Sequence, residues 1–304
     1  MSHGYGFGKI ILFGEHFVVY GLPAIVSAIN RTIEVTLEKS SSWQLIDNTT
    51  KFPGVQELTW DLCKESTLSV FKYFGVPGPV KIIVHGDLPL PNSGIGSSAA
   101  NLVALARAIN SFFDLGASKE DINRAAYEGE KEIHGSPSGI DNTAATYGGT
   151  FWFEKREENN LVEKINLVKK PEIILVESGV PTETRRVIYD LKKFINKNRE
   201  YAKEIFDEYK NIVQSAKTAL ISNDLKTVGN LMYKNHELLK KLNLSCQKLD
   251  SIIEIARESG ALGAKLTGTG RGGLAIILAP EKPIQKNVLS ILSQKKLAFF
   301  SAQT

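Results

Sequence analysis

Two acidic residues, Glu130 and Asp141, flank a turn shaped by glycine and proline, His134-Gly-Ser-Pro-Ser-Gly139. Carboxylates held this way can divide two tasks, one as a metal ligand and the other as a base. The same side chains could also be a solvated helix face and a helix cap. A second chemical signal is the stretch Pro91-Asn92-Ser93-Gly94-Ile95-Gly96-Ser97-Ser98-Ala99-Ala100, which turns on two glycines and opens onto an alanine-rich helix. Backbone amides at a helix N-terminus suit a phosphate, and a hydroxyl there can reach a phosphate-bound Mg²⁺. The plainer alternative is that Ser97 and Ser98 cap the helix.

Two further glycine stretches narrow the field. Lys265-Leu-Thr-Gly268-Thr-Gly270-Arg-Gly272-Gly273 contains a literal G-x-G-x-x-G, but the residues after it, Leu274 to Leu278, read as a strand. A dinucleotide fingerprint needs a helix there, so the stretch is either a tight hairpin or a loop that approaches a ligand. Gly4-Tyr-Gly6-Phe-Gly8-Lys9 lacks the spacing of a P-loop, and Ile10 stands where Ser or Thr would hold the metal. Hydrolase patterns fail too. Pro137 occupies the nucleophile position of Gly135-Ser-Pro-Ser-Gly139, and Lys240 replaces the second histidine that His236-Glu237 would need. His16, His85 and His134 have no metal-ligand spacing.

The elements that must position these residues are mostly strands in the first third. Gly8 to Phe13 and Phe17 to Ile29 are apolar runs, the second broken by Gly21-Leu-Pro23, and Thr32 to Glu38 alternates with period two. Glu57 to Phe74 has helical spacing and stops at Gly75, Val80 to His85 is a strand, and Ser97 to Phe113 is a helix. Ser118 with Asp121 forms a capping box for the helix that ends near Glu130. Tyr147 to Lys155 returns to strand. Beyond a charge-rich segment with a short strand come a strand at Glu172 to Glu177 and an almost wholly helical region from Thr182 to Lys241. The chain closes as helix (Leu249 to Glu258), strand (Gly263 to Leu266), glycine turn, strand (Leu274 to Leu278), helix (Lys282 to Leu292) and a last apolar segment from Leu297 to Ser301. The boundary falls near residue 160, giving α+β domains over 1–160 and 161–304.

Composition agrees with two ordinary globular domains. The 304 residues are 42% hydrophobic and 23% charged, and at roughly 150 residues per domain that length suits two. Lys plus Arg total 37 against 33 Asp plus Glu, a net +4 that gives no argument for nucleic acid. Two cysteines, Cys63 and Cys246, make no disulfide framework and fit a reducing compartment. No apolar run approaches the roughly 18 residues of a membrane helix. A soluble, cytoplasmic protein is expected, monomeric or homodimeric, with import into an organelle left open.

Five segments in order resemble the GHMP small-molecule kinases and, among them, the mevalonate kinases. They are Gly8-Lys9 through Gly14-Glu15-His16 to Ala24; Gly94 to Ala100; Gly129-Glu130 through Asp141-Asn142; Val180-Pro-Thr-Glu-Thr184-Arg185; and Gly260 to Gly268. The resemblance implies a two-domain GHMP kinase fold, ribosomal S5 domain 2-like at the N-terminus and ferredoxin-like at the C-terminus. It implies ATP and Mg²⁺ as cofactors and (R)-mevalonate as substrate, phosphorylated at its C5 hydroxyl. By the same resemblance Asp141 is the base with Lys9 beside it, and Ser98 and Glu130 hold the metal. The loop of Pro91, Ser93, Gly94, Ile95, Gly96, Ser97, Ser98 and Ala99 cradles ATP, while Glu15, His16, Thr184 and Gly268 line the substrate site. The chain departs from the family at Thr269 and Arg271, which interrupt a motif usually made of glycine and alanine. Arg271 either brings a guanidinium to the substrate or phosphates, or points to solvent from a hairpin tip.

Overall fold

A computed structural model describes residues 2–50, 57–88, 94–156 and 160–304. The chain packs as two compact units, one of residues 1–10 with 28–149 and the other of residues 11–27 with 150–304. Neither unit is a continuous stretch. Two early strands, β1 (Ser2–Phe13) and β2 (Ala24–Lys39), each contribute to both, which a single cut near residue 160 does not express. Among the described residues no helix is long and apolar enough to cross a membrane.

In the first unit β2 pairs antiparallel with β4 (Val80–Gly86), placing Val35 opposite Val84 and Leu37 opposite Ile82. β3 (Gln44–Thr49) adds to β4 in parallel. No strand is expected there from the sequence, because Gln-Leu-Ile-Asp-Asn-Thr is mostly polar; β3 sits at the end of the strand order, where one edge needs no partner. Among the described residues four helices complete the unit: α1 (Trp60–Phe74), α2 (Ser97–Phe113), α3 (Lys119–His134) and α4 (Ile140–Tyr147). α3 opens on the expected capping box, with both Ser118–Asp121 bonds present.

The glycines of β1 have a packing role. Gly4 and Gly6 fall on the buried face of the strand, where α2 crosses. A Cβ at Gly4 would lie 2.1 Å from the Ala104 carbonyl oxygen, and one at Gly6 would lie 2.0 Å from that of Ala100. Only glycine permits this approach. The N-terminal glycine run is therefore a seat for a helix.

In the second unit the start of β2 pairs with β5 (Thr150–Glu154), which pairs with β6 (Leu161–Ile165). The run from Phe17 is not strand until Ala24. Phe17 to Tyr20 form a 3-10 turn closed by Gly21 at φ 77°, so the turn chemistry of Gly21-Leu-Pro23 overrides the apolar run. A separate antiparallel sheet runs in the order β10 (Phe299–Gln303), β7 (Glu172–Glu177), β9 (Leu274–Leu278), β8 (Gly263–Thr267). The helices of this unit are α5 (Thr184–Lys197), α6 (Arg199–Ile221), α7 (Leu225–Lys241), α8 (Gln247–Glu258) and α9 (Lys282–Gln294). β8 and β9 are buried throughout, as a sheet with helices against it requires, and α7 and α8 pack on β8.

Candidate active site

The close seat of α2 on β1 brings Lys9 alongside the loop that opens the helix. The Lys9 amide donates to the Ile95 carbonyl at 2.8 Å, and its Nζ donates to the Gly94 carbonyl at 3.3 Å. Gly96 is the N-cap of α2, at φ 69°, and a Cβ there would strike the Lys9 Cγ at 2.8 Å. Glycine is needed for both its backbone angle and this clearance. Among the described residues no side chain caps α2; its N-cap is Gly96, so Ser97 and Ser98 lie inside its first turn. The N-terminal amides of a helix lack intrahelical acceptors, which leaves this end suited to an anion. Ile95, Ser97 and Ala99 are buried behind it. Pro91 and Ser93 lie outside the described residues.

Asp141 stands in the first turn of α4, whose N-cap, Gly139, is left-handed. The sequence reading leaves cap or base open; here Asp141 is past the cap, and its Oδ1 lies 3.3 Å from Lys9 Nζ. Lys9 is nearly buried while Asp141 is about one-third exposed, so the ammonium is fixed and the carboxylate stays accessible. The next residue, Asn142, is buried and donates through Nδ2 to the side-chain and main-chain oxygens of Asn123 on α3, at 2.8 and 3.2 Å. That amide link ties the helix bearing Asp141 to the helix bearing Glu130.

Glu130 is 2% exposed, unlike a solvated helix carboxylate. Burial, and next the Asp141 charge, push its pKa up to about 7, against the pull of a Ser98 hydrogen bond and the Lys9 charge. Its Oε2 lies 3.7 Å from His134 Nε2, which is 3.5 Å from the Ser98 hydroxyl. Its Oε1 is buried without a hydrogen-bond partner among the described residues. A buried carboxylate oxygen left over in this way, crowded by a second carboxylate and next to a hydroxyl, has the hard-oxygen character that a Mg²⁺ ion takes. Among the described residues no three His, Cys, Asp or Glu side chains converge.

The second unit gathers the other predicted residues. Glu15 is 1% exposed, and its Oε1 pairs with Nζ of Lys265, which is fully buried on β8. Burial lowers the Lys265 pKa while the Glu15 charge opposes that shift. His16 follows at φ 61°, a strained angle for a residue with a Cβ. Its Nε2 lies 2.6 Å from the Thr269 carbonyl oxygen. A carbonyl can only accept, so Nε2 carries the proton. Burial, and further the Arg271 charge, lower the His16 pKa, against the pull of that hydrogen bond, and favour the neutral ring. Phe17 then stacks on Tyr209 with 3.8 Å between ring centroids, and the Tyr209 hydroxyl donates to the Pro23 carbonyl at 2.6 Å.

Thr184 opens α5, and its hydroxyl is 3.1 Å from that of Thr269. Gly268 sits at φ 84° at the head of the same turn. Thr269 thus joins two predicted residues, His16 through its carbonyl and Thr184 through its hydroxyl. Neither Thr269 nor Lys265 stands out in the sequence as a positioning residue. The only signals are the presence of a polar residue within a glycine turn and a lysine in an apolar strand.

Comparison with known proteins agrees with this architecture. Residues 61–149 match the GHMP kinases N terminal domain and residues 216–298 match the GHMP kinases C terminal domain. A mevalonate kinase of Aeropyrum pernix is 31% identical over 96% of this chain and 93% of its own length. One of Methanocaldococcus jannaschii is 31% identical over 97% of both. The crystal structure of L. major mevalonate kinase in complex with R-mevalonate superposes with a TM-score of 0.90 at 33% identity, covering 100% of this chain and 96% of that one. The two-domain α+β fold, the ordered motifs and full-length relatives at this identity lead to one assignment: the chain belongs to the GHMP kinases and, within them, to the mevalonate kinase family.

Proposed function

We propose that the protein transfers the γ-phosphoryl group of ATP to the C5 hydroxyl of (R)-mevalonate, giving 5-phosphomevalonate and ADP. The observation that carries this reading is the position of Lys9, whose ammonium lies 3.3 Å from both Asp141 Oδ1 and the Gly94 carbonyl. One fixed cation thereby joins an accessible carboxylate to the loop at the head of α2. In this reading the C5 oxygen attacks the γ-phosphorus, its proton passes to the Asp141 carboxylate, and Lys9 stabilises the negative charge that develops on oxygen. Phosphoryl transfer depends mainly on alignment and charge neutralisation, and a preformed Lys–Asp pair supplies both without reorganisation.

Residues Gly94 to Ala99 would hold the ATP phosphates by main-chain amides. Glu130 and Ser98 would hold Mg²⁺, which when bound neutralises phosphate charge. His16, Thr184 and Gly268 would face the substrate, with Glu15 anchoring the turn that presents His16. In this reading residues 1–160 would serve mainly as the ATP-binding part and 161–304 as the C-terminal part, with residues 11–27 packed into the latter's unit.

The test is ADP release from MgATP with mevalonate, phosphomevalonate, homoserine or galactose as acceptor. We expect turnover on mevalonate alone, reduced at least about a thousandfold in Asp141→Asn with the Michaelis constant for ATP little changed. Turnover on another alcohol would overturn the substrate assignment, and an Asp141→Asn enzyme of undiminished kcat would overturn the assigned base.

A further inference from the structure

Arg271 sits at the tip of the β8–β9 connection at φ 55°, an angle that disfavours any residue with a Cβ. Its side chain is about one-third exposed and is tied at both ends of the guanidinium. NH1 donates to Asp190 Oδ2 on α5 at 2.5 Å, and Nε donates to the Asn243 carbonyl at 2.8 Å. The Arg271 amide donates to the Leu244 carbonyl at 2.7 Å. One residue therefore grips both α5 and the segment that follows α7.

The rest of the turn is tightly fitted around it. A Cβ at Gly270 would come within 2.2 Å of the Leu244 carbonyl oxygen, and one at Gly272 within 2.3 Å of the Val180 oxygen. The Thr182 hydroxyl donates to the Gly270 carbonyl at 3.1 Å, and the Gly273 amide donates to that of Val180 at 3.0 Å. Thr269 is carried by this turn. α5, in contrast, is weakly anchored by apolar packing: of its 14 residues only Val187 and Leu191 are buried. Its seat depends on polar ties, of which Arg271–Asp190 and Thr269–Thr184 both come from the turn.

We infer that Arg271 is a positioning residue, and that its clamp on Asp190 and Asn243 sets Thr269 and hence the presentation of His16 and Thr184. In this role it acts through Thr269 and not by contact with substrate or phosphate. This explains why a guanidinium interrupts the glycine turn: a planar fork can bond an aspartate and a carbonyl together, which an ammonium cannot do equally well. The inference rests on the proposed substrate role of His16 and Thr184, but the clamp itself does not.

The discriminating pair is Arg271→Gln and Asp190→Asn, compared with the double variant, Arg271→Lys and the charge swap Asp190→Arg/Arg271→Asp. For a clamp, each single variant lowers kcat/KM for mevalonate about tenfold, the double variant is no worse than either, and the swap recovers part of the loss. KM for ATP stays within about twofold of the parent enzyme, and Arg271→Lys falls between. A second readout needs no turnover. The ¹⁵N resonances of the His16 ring should shift alike in Asp190→Asn and Arg271→Gln. Loss of mevalonate activity in Arg271→Gln, with Asp190→Asn unchanged in both kinetics and His16 resonances, would overturn the clamp and make Arg271 a direct ligand contact. Unchanged His16 resonances in both variants would also overturn it. Should the parent enzyme leave mevalonate untouched, the proposed function fails while the resonances still decide the clamp.

Discussion

At the residue scale, that Lys9 and Asp141 meet, with Ser98 and Glu130 close by, follows from motifs whose order in the chain implies their neighbours. Lys9, Ser98, Glu130 and Asp141 are brought together by elements that the sequence already announces. Lys265 was not legible. It meets Glu15 across 250 positions, and nothing local to an apolar strand marks a lysine as fully buried. A buried ion pair adds little net stability over a well-packed apolar pair, yet breaking one side strands the other charge. Lys265→Met should therefore lower unfolding free energy by about 3–5 kcal/mol. Adding Glu15→Gln should recover part of that loss, and denaturant titration of the three variants checks it. Equal or greater instability in the double variant would show that the pair is not coupled.

At the element scale, most helices and strands followed from periodicity and turn chemistry, with the Ser118–Asp121 capping box present as expected. The exceptions have physical causes. β3 is too polar to announce itself, and the apolar Phe17–Tyr20 stretch is closed into a turn by Gly21. The seat of α2 on β1 is a further case, visible in sequence only as unexplained glycines. Gly6→Ala should destabilise the protein by about 1–3 kcal/mol by overpacking against Ala100, and raise KM for ATP because α2 carries the loop. A folded enzyme with unchanged KM for ATP would break that link between seat and loop.

A pH effect belongs to the same scale. His236 on α7 accepts the Leu266 amide of β8 through Nδ1 at 3.4 Å, and its Nε2 lies 3.1 Å from Asp250 of α8. The neutral ring thus joins three elements. Burial pushes its pKa down to about 4 from 6.5, although the nearby Asp250 charge pulls the other way. The unfolded state then binds a proton more readily than the folded state, so stability falls as pH drops. The contribution is complete above pH 6.5 and is lost as pH falls through about 4, a change on the order of 3 kcal/mol. Urea unfolding across that window should show a shallower acid loss in His236→Gln than in the parent protein. Parallel curves would remove His236 as the cause.

At the scale of the whole molecule, the class, the two-part organisation and the family could all be read from composition and five ordered motifs. How the chain is shared between the units could not. Residues 11–27 pack with 150–304 because two early strands each run through both units, and linear patterning carries no sign of that. All three scales meet in the proposed reaction, in which a helix seated by glycines, a lysine fixed beside that helix and an aspartate next to the lysine would serve phosphoryl transfer to one alcohol. Following the reaction of MgATP with (R)-mevalonate by ³¹P NMR tests it most directly. The ATP γ-phosphorus signal should be replaced, one for one, by a phosphomonoester coupled to the C5 methylene protons. Inorganic phosphate alone, or a phosphomonoester only when another alcohol is supplied, would contradict it.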